Sequence, residues 1–187
     1  MKLLPLAIGA AVLCAASAAQ ASPAFDAFQK ICVAHRGDAA GALAAATAAG
    51  WQPVPKAVLG MIPLSDGKMS GLDGRLLSGG SGMMVLLVAH SDQISKTRPI
   101  PADICALGVT GDAASLPAEA GAFAEVPATT DPDVKGASVF VWRAGAARHV
   151  PVALASLRPE QANHDVSMLA VAAQGPVTLL ALTVPTK

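Results

Sequence analysis

Aromatic residues and charged residues are both scarce in this chain of 187 residues. It has no tyrosine, two tryptophans and four phenylalanines, and charged residues make up 14%. Basic and acidic residues number 13 each, so the formal net charge is zero. Nucleic-acid sites need an excess of basic charge, and single-strand sites stack bases on aromatic rings. The composition therefore argues against nucleic-acid binding and against electrostatic docking to a membrane.

Sequence signatures of cofactor and metal enzymes are missing as well. The chain contains no G-x-G-x-x-G, no Walker loop, no H-E-x-x-H and no C-x-x-C. These patterns hold phosphates, zinc or redox cysteines in a fixed local geometry. We therefore predict no cofactor and no metal. Whether the protein is an enzyme stays open, and binding is favoured over catalysis.

The N-terminus is apolar or small over residues 3–16, after one positive charge. Ala19 and Ala21 then provide small residues at the −3 and −1 positions of a signal-peptidase site. We expect residues 1–21 to be a signal peptide, with cleavage between Ala21 and Ser22. An uncleaved anchor is the alternative. The signal peptide predicts a periplasmic or secreted protein without a stable membrane anchor, and the general layout resembles that of small exported bacterial proteins.

Two cysteines remain after removal of the signal peptide. Cys14 lies within the signal, and bulky Leu13 replaces the small residue that would precede a lipid-modified cysteine. Cys32 and Cys105 are left, and two cysteines in an oxidising compartment most often pair. We predict a disulfide bond between them.

Cys32 and His35 also allow a metal hypothesis. Residues three apart share a helix face, so the pair is half of a conceivable zinc site. Zinc needs three or four protein ligands, and Cys105 and His90 could complete the set only if the tertiary fold happened to bring them close. A disulfide with a separately hydrogen-bonded histidine is the favoured interpretation, and the metal site is the alternative.

Residues 22–49, at the start of the mature chain, are typical of two short helices. Ser22 and the following proline form a helix start, and apolar residues then recur at helical spacing. Gly37 interrupts this pattern, and Asp38 is placed to cap a second helix over residues 39–49. The Arg-Gly-Asp letters at residues 36–38 are thereby interpreted as a turn and a cap. We predict a helical hairpin.

The remainder is typical of a sheet. A continuous apolar run, Met83–Ala89, predicts a strand buried on both faces, and Ile104–Val109 predicts another. A third helix is expected to end near Glu125, and two hairpins follow at residues 138–152 and 166–184. The predicted fold is α+β, with the helical hairpin packed on a mainly antiparallel sheet of about 5–7 strands plus one further helix. We expect residues 22–187 to form a single domain.

The sequence leaves two functions open. The favoured one is an exported binding or interaction module with an unknown protein or small-molecule partner. The alternative is a small periplasmic hydrolase that uses loop residues near Ser81, His90 and Asp92. A nucleophile, a base and a carboxylate are the residue types that acyl hydrolysis needs, although their geometry decides the matter.

Overall fold

The structure is an eight-stranded antiparallel sheet with helices packed on it. The computed structural model describes residues 21–59, 69–79, 82–111, 113–133 and 136–187. The strands are β1 Gln52–Pro53, β2 Met69–Gly79, β3 Gly82–Ser91, β4 Ala102–Thr110, β5 Ala137–Arg143, β6 Val150–Pro151, β7 Val166–Gln174 and β8 Val177–Pro185. Their order in the sheet is β1-β2-β3-β4-β8-β7-β5-β6.

Five α-helices accompany the sheet in the described part of the chain. They are α1 Pro23–Phe28, α2 Ala39–Ala48, α3 Lys56–Leu59, α4 Leu116–Ala124 and α5 Leu157–Asn163. A π-helical turn, Gln29–Val33, continues α1, and a 3₁₀ turn, Leu154–Ser156, precedes α5. The antiparallel α+β class is thus as predicted.

The expected count of about 5–7 strands and one further helix is matched only roughly, since the sheet has eight strands and both α3 and α5 are present besides α4. Two of the additional strands, β1 and β6, are two residues long, too short to produce an alternating pattern. In β2 the pair Asp73-Gly74 resembles a tight turn, yet it lies inside the strand opposite Val88 and Leu87. A Cβ on Gly74 would lie 2.7 Å from the Leu86 carbonyl oxygen, so close strand approach requires glycine at this position.

Both N-terminal helices begin at side-chain caps. The Ser22 hydroxyl accepts a hydrogen bond from the Phe25 N–H at 3.2 Å. An Asp38 carboxylate oxygen accepts one from the Gly41 N–H at 2.9 Å. Between the two helical segments, Gly37 adopts a φ of +74°, which glycine tolerates without strain. The caps fix the residues at which α1 and α2 begin.

The main core lies on one face, here called the helical face, which α1, α2 and α4 cover. Alternate residues of the central strands point into it, as expected for a period of two. They include Leu86 of β3, Leu107 of β4 and Leu180 of β8, all fully buried. A smaller core on the opposite face is formed by the following residues: Ile100, Ala137, Val139, Val141, Val152, Leu157, Val166, Met168 and Ala172.

Strand β3 is not buried on both faces, contrary to prediction. Leu86 and Val88 are buried against the helices, whereas Val85 and Leu87 are only partly covered. The smaller core lies over β5 and β7, which are near the opposite edge of the sheet from β3. The apolar run is therefore buried on the helical face and only partly covered on the opposite face.

The predicted disulfide between Cys32 and Cys105 is present. It joins the π-helical turn to β4, with a Cα–Cα distance of 5.4 Å. Both cysteines are buried in the main core. Because β4 lies between β3 and β8, the bond fastens the first helical segment to the sheet interior.

Both edges of the sheet end in very short strands. At one edge β1 pairs with β2, and at the other β6 pairs with β5. Each two-residue strand contains a proline, Pro53 in β1 and Pro151 in β6. Proline has no N–H to donate to a neighbouring strand. Among the described residues, no helix is long and apolar enough to cross a membrane.

Candidate functional site

Three polar side chains form a row across neighbouring strands at one end of the sheet. His90 Nδ1 and Asp103 Oδ1 are 2.8 Å apart, across the β3–β4 pair. Ser70 of β2 is the register partner of His90 on its other side. Residues directly opposite in an antiparallel pair share a face and have Cβ atoms about 5 Å apart. Ser70, His90 and Asp103, here called the polar row, therefore lie side by side.

The polar row is open to solvent. The His90 and Asp103 side chains are 44% and 33% exposed. Ser70 is exposed, and its hydroxyl forms no hydrogen bond within the part of the chain that the structure describes. When neutral His90 donates its Nδ1–H to Asp103, Nε2 is left as a proton acceptor. The row thus combines an unengaged hydroxyl with an oriented imidazole.

A β-bulge adjoins the serine. Ser70 pairs with His90 and Asp73 pairs with Val88, so two residues of β2 face one residue of β3. The first of them, Gly71, has a φ of +64°. A bulge leaves its extra residue outside the ladder and re-aims the neighbouring groups.

The turn between α1 and α2 packs beside the polar row. A Cβ on Gly37 would lie 3.9 Å from an Asp103 carboxylate oxygen. Arg36 holds this turn in place by donating to Ser167 Oγ at 2.7 Å and to the Val166 carbonyl at 2.8 Å. The Arg-Gly-Asp letters thus have structural roles, as the sequence indicated.

The hydrolase alternative included His90 with Ser81 and Asp92, but the carboxylate bonded to His90 is Asp103. Ser81 lies outside the described residues. Asp103 was missed because its partnership depends on the β3–β4 register. No local sequence pattern gives the register of two strands. A polar residue near the end of one predicted strand and another near the start of the next would indicate that the two side chains can meet.

The metal hypothesis for Cys32 and His35 is wrong, because the Cys32 sulfur is in the disulfide. Within the described ranges no group of three or more His, Cys, Asp or Glu side chains is close enough to hold a metal ion. His35 instead lies beside the start of α2, where a Cβ on Gly41 would be 2.6 Å from its Nδ1.

A groove of about 460 Å³ lies on the helical face, between the start of α4 and the ends of β4, β7 and β8. Small residues dominate its lining, and none of the described lining side chains is charged. Ser138 and Thr178 contribute the hydroxyl groups. The lining residues are Gly111, Ala113, Ala114, Pro117, Gly136, Ser138, Val171, Ala173, Gly175, Pro176 and Thr178.

A buried ion pair lies apart from both features. Arg98 donates to Asp131, whose side chain is almost fully buried, and also contacts Asp133 at 3.4 Å. Hydrogen bonds from the side chains of Ser95 and Thr97 hold the pKa of Asp133 below its usual value. These contacts join the segment after β3 to the loop before β5. One guanidinium thus contacts two carboxylates, and the buried Arg98 Nε has no hydrogen-bond partner among the described residues.

Comparison of the chain with protein-family models, with curated proteins and with solved structures found no match. The two candidate sites therefore depend on their geometry alone.

Proposed function

We propose that the protein is an exported binding module that holds a small, uncharged, largely apolar ligand in the groove beside α4. The groove carries this proposal, since its volume of about 460 Å³ lies in the range of small-molecule sites. The described lining side chains are uncharged, so they offer no ion-pair partner to a desolvated charge, which disfavours ionic ligands.

The chemistry of the lining also suggests how a ligand is oriented. Ala113, Ala173 and Val171 offer apolar contact, while the Ser138 and Thr178 hydroxyls can each donate or accept one directional hydrogen bond. The small size of the alanines and glycines leaves room for the ligand. A ligand with an apolar body and one hydroxyl or carbonyl group suits this arrangement best.

Export is part of the same proposal. The apolar N-terminus followed by Ala19 and Ala21 supports it, and the buried Cys32–Cys105 bond is compatible with an oxidising compartment.

Filling the groove is expected to abolish ligand binding. The probe is N-phenyl-1-naphthylamine, an uncharged apolar fluorophore whose emission rises in a dry site. We expect saturable binding to the wild type and a loss of affinity of about tenfold or more in Ala173→Trp, because the new ring occupies the site. Ala162→Trp, at an exposed position on α5, is the matched control and should bind normally. Equal affinity of the two variants for the fluorophore would mean that it binds outside the groove.

A second candidate function is ester hydrolysis at the polar row, favoured by the 2.8 Å contact between His90 and Asp103 with Ser70 in register. Ser70 Oγ would attack the acyl carbon while its proton moves to His90 Nε2, and Asp103 would stabilise the imidazolium. His90 would then give the proton to the leaving alcohol. Water, deprotonated by His90, would then attack the acyl-serine, and His90 would return that proton to Ser70 Oγ as the acid is released.

This second candidate predicts a serine-dependent esterase. With p-nitrophenyl acetate as substrate, Ser70→Ala and His90→Ala should each lower the rate by about 100-fold or more. Ser78→Ala, at an exposed position on the same strand, is the control and should retain the wild-type rate. Labelling by a fluorophosphonate should follow the same pattern. Labelling that persists in Ser70→Ala would exclude Ser70 as the nucleophile.

A further inference from the structure

The backbone nitrogen of Ser22 lies against a carboxylate from a distant part of the chain. It is 3.2 Å from each carboxylate oxygen of Glu119, a residue of the first turn of α4. The Ser22 hydroxyl donates a further hydrogen bond to Glu119 at 2.8 Å. The site is partly buried, and 97 residues separate the two partners.

We propose that cleavage between Ala21 and Ser22 converts this nitrogen into an α-ammonium group that forms an ion pair with Glu119 and fastens the new N-terminus to α4. The inference uses the predicted export signal and is independent of the groove and of the polar row. In the cleavage, water splits the peptide bond: its hydroxyl goes to the Ala21 carbonyl carbon and its hydrogen to the Ser22 nitrogen. The amine, with an ordinary pKa of about 7.7–8.0, is mostly protonated at neutral pH.

The number of hydrogens on the Ser22 nitrogen favours the chain that begins at Ser22. An amide nitrogen has one hydrogen and cannot donate fully to both Glu119 oxygens, which are equally distant from it. An ammonium group has three hydrogens, and charge-assisted hydrogen bonds to a carboxylate are shorter and stronger than neutral ones. Partial burial also reduces screening by salt. The geometry is therefore better suited to the processed chain than to the intact one.

The carboxylate also offsets a charge problem at α1. A cation at a helix N-terminus opposes the helix dipole, so a free ammonium group at Ser22 would destabilise α1 by itself. Asp26, in the first turn of α1, is engaged with Lys30 at 2.7 Å. Glu119 therefore supplies the negative charge for the N-terminus, while the Ser22 hydroxyl continues to cap α1.

The ion pair would reinforce an apolar contact between the same two helices. The Phe25 ring of α1 and the Phe123 ring of α4 are 6.0 Å apart, centroid to centroid, in an edge-to-face arrangement. An extended residue spans about 3.3 Å, so one residue more or fewer at the N-terminus would carry the ammonium group out of contact with Glu119. The processing position and the α1–α4 packing are thus coupled.

Thermal unfolding of four chains tests the proposal, with the disulfide intact at pH 7. Two chains begin at Ser22 and two carry one extra glycine before it, each with Glu119 or with Glu119→Gln. With Glu119, we expect the chain that begins at Ser22 to melt about 2–4 °C higher than the extended chain. In Glu119→Gln this difference should disappear. In two further chains, one with each N-terminus, Glu125→Gln removes an exposed carboxylate next to the other end of α4 and should preserve the difference.

Two outcomes would overturn the ion pair: an equal difference in the Glu119→Gln background, or no difference with Glu119 present. Intact-mass analysis of the exported protein tests the cleavage separately, and a first residue other than Ser22 would overturn that half of the proposal. The four purified chains have defined N-termini, so the two failures are distinguishable from each other.

Discussion

Removing the disulfide, as Cys32→Ala with Cys105→Ala, is expected to lower the free energy of unfolding by about 4 kcal/mol. The bond joins positions 73 residues apart, and closing a loop of that size removes much of the conformational entropy of the unfolded chain. Typical domains have a total stability of about 5–15 kcal/mol. The loss therefore threatens folding itself.

Urea unfolding, followed by tryptophan fluorescence, measures the effect. The reporters Trp51 and Trp142 are both buried in the main core. Reduced wild-type protein is the control and should approach the stability of the double variant. A loss below about 1 kcal/mol would mean that the unfolded chain is already compact around this loop.

The second large effect is expected from Leu86→Asp, which should cost at least about 4 kcal/mol and leave little folded protein at 37 °C. Leu86 is 0% exposed and lies in the main core under the helices. No lysine, arginine or histidine is among the buried residues of the described part of the chain, so no buried cation is available to pair with the new carboxylate. An unpaired charge in such a place loses its hydration without compensation.

Leu87→Asp is the matched comparison, because it makes the same change one residue along β3. Leu87 lies on the opposite face, where it is partly exposed, so a carboxylate there keeps part of its hydration. We expect about half the loss or less. Equal losses in the two variants, measured by urea unfolding, would indicate that the opposite face is as dry as the helical face.

Local patterns predicted the elements whose boundaries are fixed by local chemistry. Ser22 and Asp38 were predicted as caps and accept the expected hydrogen bonds. The last hairpin was placed at residues 166–184, and the structure has β7 and β8 joined at Gly175, which has a φ of +61°. Residue type decides such features, because capping oxygens and left-handed glycines act within three or four positions.

Features that depend on packing between distant segments were not predictable in the same way. Strand β2 has glycine and charged residues where a strand pattern expects apolar ones, and its pairing with β3 overrides that local preference. The partnership of His90 with Asp103 follows from register, and the groove follows from where α4 meets the strand ends. Neither has a counterpart in residue spacing.

The prolines in the two outermost strands affect how readily copies of this protein associate edge to edge at high concentration. A sheet grows by adding strands to an edge that still offers N–H and C=O groups, and that is how soluble chains become fibres. Here Pro53 and Pro151 are each one of the two residues of a terminal strand. Neither has a backbone N–H to donate to an added strand. At each edge the outermost strand thereby offers one donor fewer to a second copy of the chain.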